Sequence, residues 1–217
     1  MDTEAVVRRV KVAAEHLLRD EFENGFIQIC PAVEPVARAE GFAGGSGEVF
    51  KKWFESNQEL FTRAAFGGTS VGGESFRMRL DYEPLRKLKK DGLSSLAEVM
   101  YHAVRCALAH EAGLPSNLRF INQLTIRAQD GALELPRTFA WALCVLVVTS
   151  PALASVDANV NMAFRIRNAE LPSVCLWGRR DEVLWLLRSL KASREPEHGK
   201  PDIFDGTGDC DGSDCNP

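Results

Sequence analysis

Ten consecutive apolar residues, Phe139 to Val148 (FAWALCVLVV), are what the rest of the chain must accommodate. A membrane-spanning helix needs about twice that length, ~20 residues. The run therefore reads as an apolar helix over 138–149 within a folded domain, and no membrane partner is expected. The opening MDTEAVVRRV lacks the basic start and apolar stretch of a secretory signal, so the expected location is cytoplasmic. With 217 residues, of which 45% are hydrophobic, the chain is long enough to bury a core of its own.

Most other segments carry helical spacing. Residues 4–20 place Val7, Val10, Ala14, Leu17 and Leu18 three and four apart, and Asn24-Gly25 interrupts them. A second helix is expected over 26–40, kinked or delayed by Pro31 and Pro35. A third spans 47–64, with Ser46 as its cap. A short helix covers 83–90 with Pro84 in its first turn. The pattern Ser95-Leu-Ala-Glu98 is a capping box, and it opens a strong helix from about 95 to 111 that Gly113 and Pro115 end. Residues 179–193 are amphipathic again. One β element stands out: LRFINQLTIRA and ALELP flank Gln129-Asp130-Gly131 and read as a hairpin over about 118–136. The stretch 150–178 has no decisive period. The expected fold is mainly α, a bundle of five to seven helices with one β-hairpin insertion.

Composition shifts near Arg194. Residues 195–217 hold seven acids against Lys200 alone, which leaves the body at +2 although the whole chain is at −4. The expected division is a helical domain over 1–194 and an acidic, disordered tail over 195–217. Of the six cysteines, Cys30, Cys106, Cys144 and Cys175 stand singly in apolar or helical contexts, as small hydrophobes do. Cys210 and Cys215 lie in the tail. No disulfide framework is visible.

On a helical wheel, Leu96, Met100, Ala103, Val104, Ala107 and Leu108 share the core arc of the 95–111 helix. Glu98, His102, Arg105, Cys106 and His110 take the rest. That polar arc is rich in Arg and His and contains no Lys. Arg105 and His110 are five apart and point about 140° away from each other on an ideal helix, flanking the small residues Cys106 and Ala109. An arginine offers a permanent forked cation to phosphate oxygens, and a histidine moves a proton near neutral pH. The plainer alternative has His110 favouring the helix end as a cation and Arg105 paired with Glu98 or Glu111 on a solvated face.

At RCALAH, residues 105–110 within YHAVRCALAHEAGLP, the sequence resembles the HEPN superfamily. Its hallmark is an Arg, four to six residues, then a His, late on a helix of an α-helical bundle. The resemblance extends loosely over about 10–150, including GFIQICPAVEPVARAEG and VFKKWFESNQELF. It implies a homodimer in which the motif helices of two subunits meet. Active members are metal-independent ribonucleases, several of them toxins or antiviral effectors; others are non-catalytic interaction modules, here with a nucleotidyltransferase-type regulatory partner. Carried over, Arg105 holds phosphate and His110 is the general acid or base, with no cofactor. Active members often have Asn or Asp after the Arg, where this chain has Cys106. Arg9 and His16 fit the same spacing but lie early in the chain.

Other residues join the candidate site. Tyr101, one turn before Arg105, orients it or a substrate, or packs. His102, Cys106 and Glu111 are supporting candidates. His102, Cys106 and His110 recur every four residues, but residues eight apart are about 12 Å apart along a helix, too far for one ion with ligand bonds of about 2.0–2.3 Å. The expected metal is none, with a His102–Cys106 metal site as the third reading. Arg77, Arg79, Arg86, Lys87, Lys89 and Lys90, with Tyr82 interleaved, can track an RNA backbone or form a solvated face. The Gly-rich segment 67–75 lacks the Gly-Lys-Ser/Thr ending of a phosphate loop. DCDGSDC in the tail lacks the register of a calcium loop.

Overall fold

The computed structural model describes residues 1–71, 77–87, 92–106, 115–156, 163–166, 169–172 and 175–190. Helices dominate them. α1 (Thr3–Leu18) starts at Asp2, whose carboxylate accepts a hydrogen bond from the Ala5 amide at 3.0 Å. First-turn amides have no partner within a helix, and such a cap supplies one. The buried stripe of α1, Val6, Val10, Ala13, Ala14 and Leu17, packs along α2 (Phe22–Ala39). Gly25 permits the approach, since a Cβ there would collide with the Leu17 side chain.

α2 corrects two expectations. Asn24-Gly25 does not interrupt the chain but lies inside this helix. Pro31 and Pro35 neither delay nor end it, and it runs through both for 18 residues. Phe26, Ile29, Cys30, Val33, Val36 and Ala37 face the core, whereas Pro31 is exposed and Pro35 half-buried. A proline cannot donate to the carbonyl four residues back. The carbonyls of Ile27 and Pro31 thus lose their helical donors on the outward face, where the loss costs least.

The expected 47–64 helix is two. α3 (Ser46–Ser56) and α4 (Gln58–Ala65) break at Asn57, whose side-chain amide donates to the Trp53 carbonyl at 2.8 Å. Gly45, not Ser46, occupies the cap position of α3.

The strands also differ from a single hairpin. β1 (Arg77–Arg79) pairs antiparallel with β2 (Leu93–Ser95). Between them lies α5 (Glu83–Arg86), one turn long within the described residues. The Asp-Gly turn forms as the sequence predicts. Asp130 and Gly131 both adopt positive φ, 53° and 73°, as a two-residue hairpin turn requires. That turn joins β4 (Arg127–Gln129) to β5 (Ala132–Pro136). The first half of the expected arm, β3 (Leu118–Ile121), instead lies parallel to β5 on its other edge. Residues 122–126 bend between β3 and β4 and let the chain cross to the opposite side. β6 (Ala163–Ile166) and β7 (Ala169–Pro172) form a further antiparallel pair.

The apolar run becomes the heart of the core. It forms α7 (Thr138–Val148), in which every residue from Phe139 to Val148 is buried. α1, α2 and α4 surround it, and the rings of Phe61 and Phe66 meet Phe139 edge-on with centroids 5.0 and 5.8 Å away. Each large apolar side chain buried this way contributes about 1.5–3 kcal/mol. α8 (Arg180–Ser189) closes the body against α4. Its Arg180 donates twice to Glu40, at 2.7 and 2.6 Å, and Ser150 donates to the same carboxylate at 2.5 Å. Its Arg188 donates to Glu59 at 2.8 and 2.5 Å. The expected tail lies outside the described residues.

Candidate functional site: a two-arginine cleft beside the Arg105 helix

The capping box forms as expected. The Ser95 hydroxyl accepts from the Glu98 amide at 3.2 Å, and the Glu98 carboxylate accepts from the Ser95 amide at 2.8 Å. It opens α6 (Leu96–Val99), a single turn. From Met100 to Arg105 the helix then widens into the π form, a rare turn that is frequent at functional sites. The predicted core face holds in part: Leu96, Met100, Ala103 and Val104 are buried. The π turn changes what a five-residue spacing means. It brings such residues toward the same side, and the Tyr101 and Cys106 side chains are hydrogen-bonded neighbours. His110 and Glu111, with Ala107, Leu108 and Ala109, lie outside the described residues.

Arg105 is neither walled in nor isolated. Its side chain is 24% exposed, and its Nη2 donates to Glu34 Oε2 at 3.2 Å. This carboxylate partner is on α2, and not Glu98 of its own helix. The guanidinium carbon lies 5.3 Å from the centre of the Tyr101 ring, and Lys51 Nζ lies 5.7 Å from the same centre. Phe50 packs against this ring at 5.7 Å, and His102 meets it edge-on at 4.8 Å. Gly47 leaves room for the phenol: a Cβ there would fall 2.5 Å from Tyr101 Oη. Tyr101 thus packs on Phe50 with the Arg105 guanidinium over its ring. Burial, and then Cys106, push the Tyr101 phenol up, while Arg105 pulls the other way. Burial pulls His102 below its ordinary value, Lys51 adds to this, and Glu98 opposes it.

Glu34 gathers the cluster. Its Oε1 accepts from Ser46 Oγ at 2.7 Å and from Arg38 Nε and Nη2 at 3.1 and 2.8 Å. The Ser46 hydroxyl holds this carboxyl below its ordinary value against the opposing effect of burial, and Arg38 and Arg105 add to the lowering. Arg38 also donates to the Gly44 carbonyl at 3.2 Å. Cys30, Pro31, Glu34, Pro35, Arg38 and Arg105 line a cleft of about 360 Å³. Of these, the sequence singles out only Arg105 as a site residue. Glu34 and Arg38 do carry a readable signal, the i,i+4 acid–base spacing of a helical pair. Nothing local points Ser46 at Glu34. A larger hollow of about 540 Å³, between α1 and Ser155–Val156, contains none of the predicted site residues.

The basic run is only partly a free surface. Arg77 and Arg79 are exposed two apart on β1. Arg86 pairs with Asp81 at 3.0 Å and Lys87 with Glu83 at 2.8 Å. Tyr82 corrects the stacking expectation. It is fully buried, its hydroxyl donating to Asn117 Oδ1 at 3.2 Å, and offers no face to a base. Lys89 and Lys90 lie outside the described residues. His16, of the early Arg–His pair, is bonded to Glu21 at 2.5 Å. Cys30 and Cys144 are buried thiols pushed up by burial, Cys30 to about 12, whereas Cys106 and Cys175 are partly exposed. Among the described residues no three His, Cys, Asp or Glu side chains are grouped to hold a metal ion.

The fold and cleft define a mainly helical protein with a glutamate held between two arginines at its surface. The chain belongs to the Rv1289 family, whose model matches residues 5–195. No curated protein and no solved structure matches it. No helix among the described residues is long and apolar enough to cross a membrane.

Proposed function

We propose that the chain is a HEPN-like helical domain that binds RNA and cleaves it without a metal, acting as a homodimer in the cytoplasm. The observation that supports this most is the position of Arg105, partly exposed at the edge of an open cleft and steadied by the Tyr101 ring. A guanidinium there offers forked donors to phosphate oxygens. In the proposed reaction the 2′-oxygen of the RNA attacks the adjacent phosphorus while His110, as base, takes its proton. The bond to the 5′-oxygen breaks, and that oxygen leaves with a proton from a general acid, the equivalent His110 of the second subunit. A 2′,3′-cyclic phosphate results. Arg105 stabilises the charge gathering on the phosphate.

The test is incubation of RNA with the purified protein in EDTA. Fragments ending in cyclic phosphate are expected, and both Arg105→Ala and His110→Ala should abolish them. RNA left intact, or cut equally by the variants, overturns the proposal.

A second reading is a non-catalytic HEPN-like interaction module with a nucleotidyltransferase-type partner. Two observations favour it: Arg105 already donates to Glu34, and Cys106 is bonded to Tyr101. A partner that copurifies with a protein inert toward RNA supports this reading.

A further inference from the structure

We infer that the cleft between α2 and the Arg105 helix binds a small organophosphate of nucleotide size, its phosphate between Arg38 and Arg105 and its base flat on the Pro31 and Pro35 rings. The inference goes beyond RNA cleavage and shares Arg105 and the edge of its cleft with it.

Size comes first. At about 360 Å³ the cleft is at the small end of ligand sites, which run from about 300 to 1,000 Å³. It suits one nucleotide unit.

Charge comes second. The lining holds two guanidiniums and one carboxylate. Glu34 is acceptor-only when ionised, and it is surrounded by donors from Arg38, Ser46 and Arg105. Saturated in this way, it presents little negative charge to an incoming anion. It also holds the two guanidiniums in place, so a ligand need not immobilise them. Each arginine has five N–H donors, and Arg38 Nη1 makes no hydrogen bond among the described residues. Both arginines therefore keep donors for phosphate oxygens.

The floor comes third. Pro31 and Pro35 stand one turn apart on the outward face of α2, with Cys30 beside them. Two proline rings one turn apart make an apolar ledge. The carbonyl of Pro31, deprived of its helical donor by Pro35, supplies an acceptor in the same lining for a base amine or a ribose hydroxyl. An inorganic anion would use the arginines alone, whereas a nucleotide uses the ledge as well.

The experiment is calorimetric titration of the full chain with 5′-AMP, and separately with inorganic phosphate and with adenosine. AMP is expected to bind saturably, one per chain, and more tightly than either part. Arg38→Gln should weaken AMP about tenfold or more with little change in melting temperature, since Arg38 is exposed. Pro31→Ala restores a helical amide and so does not threaten folding; it should weaken AMP and leave phosphate unchanged. Absence of saturable AMP binding to folded protein, or wild-type binding by Arg38→Gln, overturns the inference. The two readings fail separately: AMP bound with RNA left intact removes the ribonuclease, and RNA cut with AMP unbound removes this site.

Discussion

Glu34 and Arg105, 71 positions apart in the chain, meet at 3.2 Å across the edge of an open cleft. The guanidinium proposed to meet phosphate is thus held by an acid from another helix, which holds Arg38 as well. Glu34 sets both where Arg105 points and how much positive charge it presents.

Replacing that acid should therefore change binding more than folding. Glu34→Gln keeps the shape and removes the charge. Affinity for single-stranded RNA should rise by up to about fivefold, the equivalent of the ~1 kcal/mol that a partly exposed ion pair is worth. Fluorescence anisotropy at low salt reads the affinity and a thermal melt reads the stability. A fall in affinity would show that orienting Arg105 matters more than freeing its charge.

Gly47 offers a way to move Tyr101 without altering it. A Cβ at Gly47 would fall 2.5 Å from the phenol oxygen, so the ring must shift. The ring also supports Arg105 and Lys51. Gly47→Ala should weaken RNA binding several-fold, comparable to the ~0.5–1 kcal/mol of an exposed cation–π contact, and the loss should be absent when Tyr101→Leu is already present. Anisotropy titrations of the two single variants and the double variant decide the matter.

The two arginines of α8 should differ in their contribution to stability. Arg180 and Glu40 are only 14% and 10% exposed, so Arg180→Met leaves a carboxylate stranded in a dry place. A loss of about 3 kcal/mol is expected. Arg188 is 52% exposed against Glu59, and Arg188→Met should cost less than about 1 kcal/mol. Urea denaturation of both variants reads the contrast, and equal losses would contradict it.

Acid should loosen the same contacts. Hydrogen bonding from Arg188, and then from Arg63, holds the Glu59 carboxyl down to about 2 from its ordinary 4.5, against the effect of burial. Burial pushes Glu40 up, but Arg180 and Ser150 outweigh it and leave it low as well. A carboxyl depressed in the folded state adds stability that is fully present above its unfolded value. That stability is lost as pH falls toward the folded value. Unfolding free energy should hold from pH 7 to about 5 and then fall between about 4.5 and 2. In Glu59→Gln the fall should be shallower, as urea melts across that range will show.

The sequence marks long features well and short or distant ones poorly. The apolar run of α7, the cap of α6 and the Asp130-Gly131 turn each declare themselves within a few residues. Three-residue strands such as β1 and β2 hold too few alternations to show a period. Pro31 and Pro35 suggest a disrupted helix because propensity is local, whereas burial of Phe26, Ile29, Val33 and Val36 carries the helix through. At the site, Arg105 is visible from its motif. Its partner Glu34 is not, since that contact arises only when α2 packs beside the Arg105 helix. Neither is the π turn, which no spacing rule announces.

The salt dependence of RNA binding asks most directly whether Arg105 reaches a phosphate. Each phosphate contact on a single strand contributes about 0.7 to the slope of log affinity against log salt. Comparing the wild-type chain with Arg105→Ala, the slope should become shallower by about that amount, with weaker binding across sequences. An unchanged slope, with affinity equal to that of the wild type, would mean that Arg105 serves only its bond to Glu34.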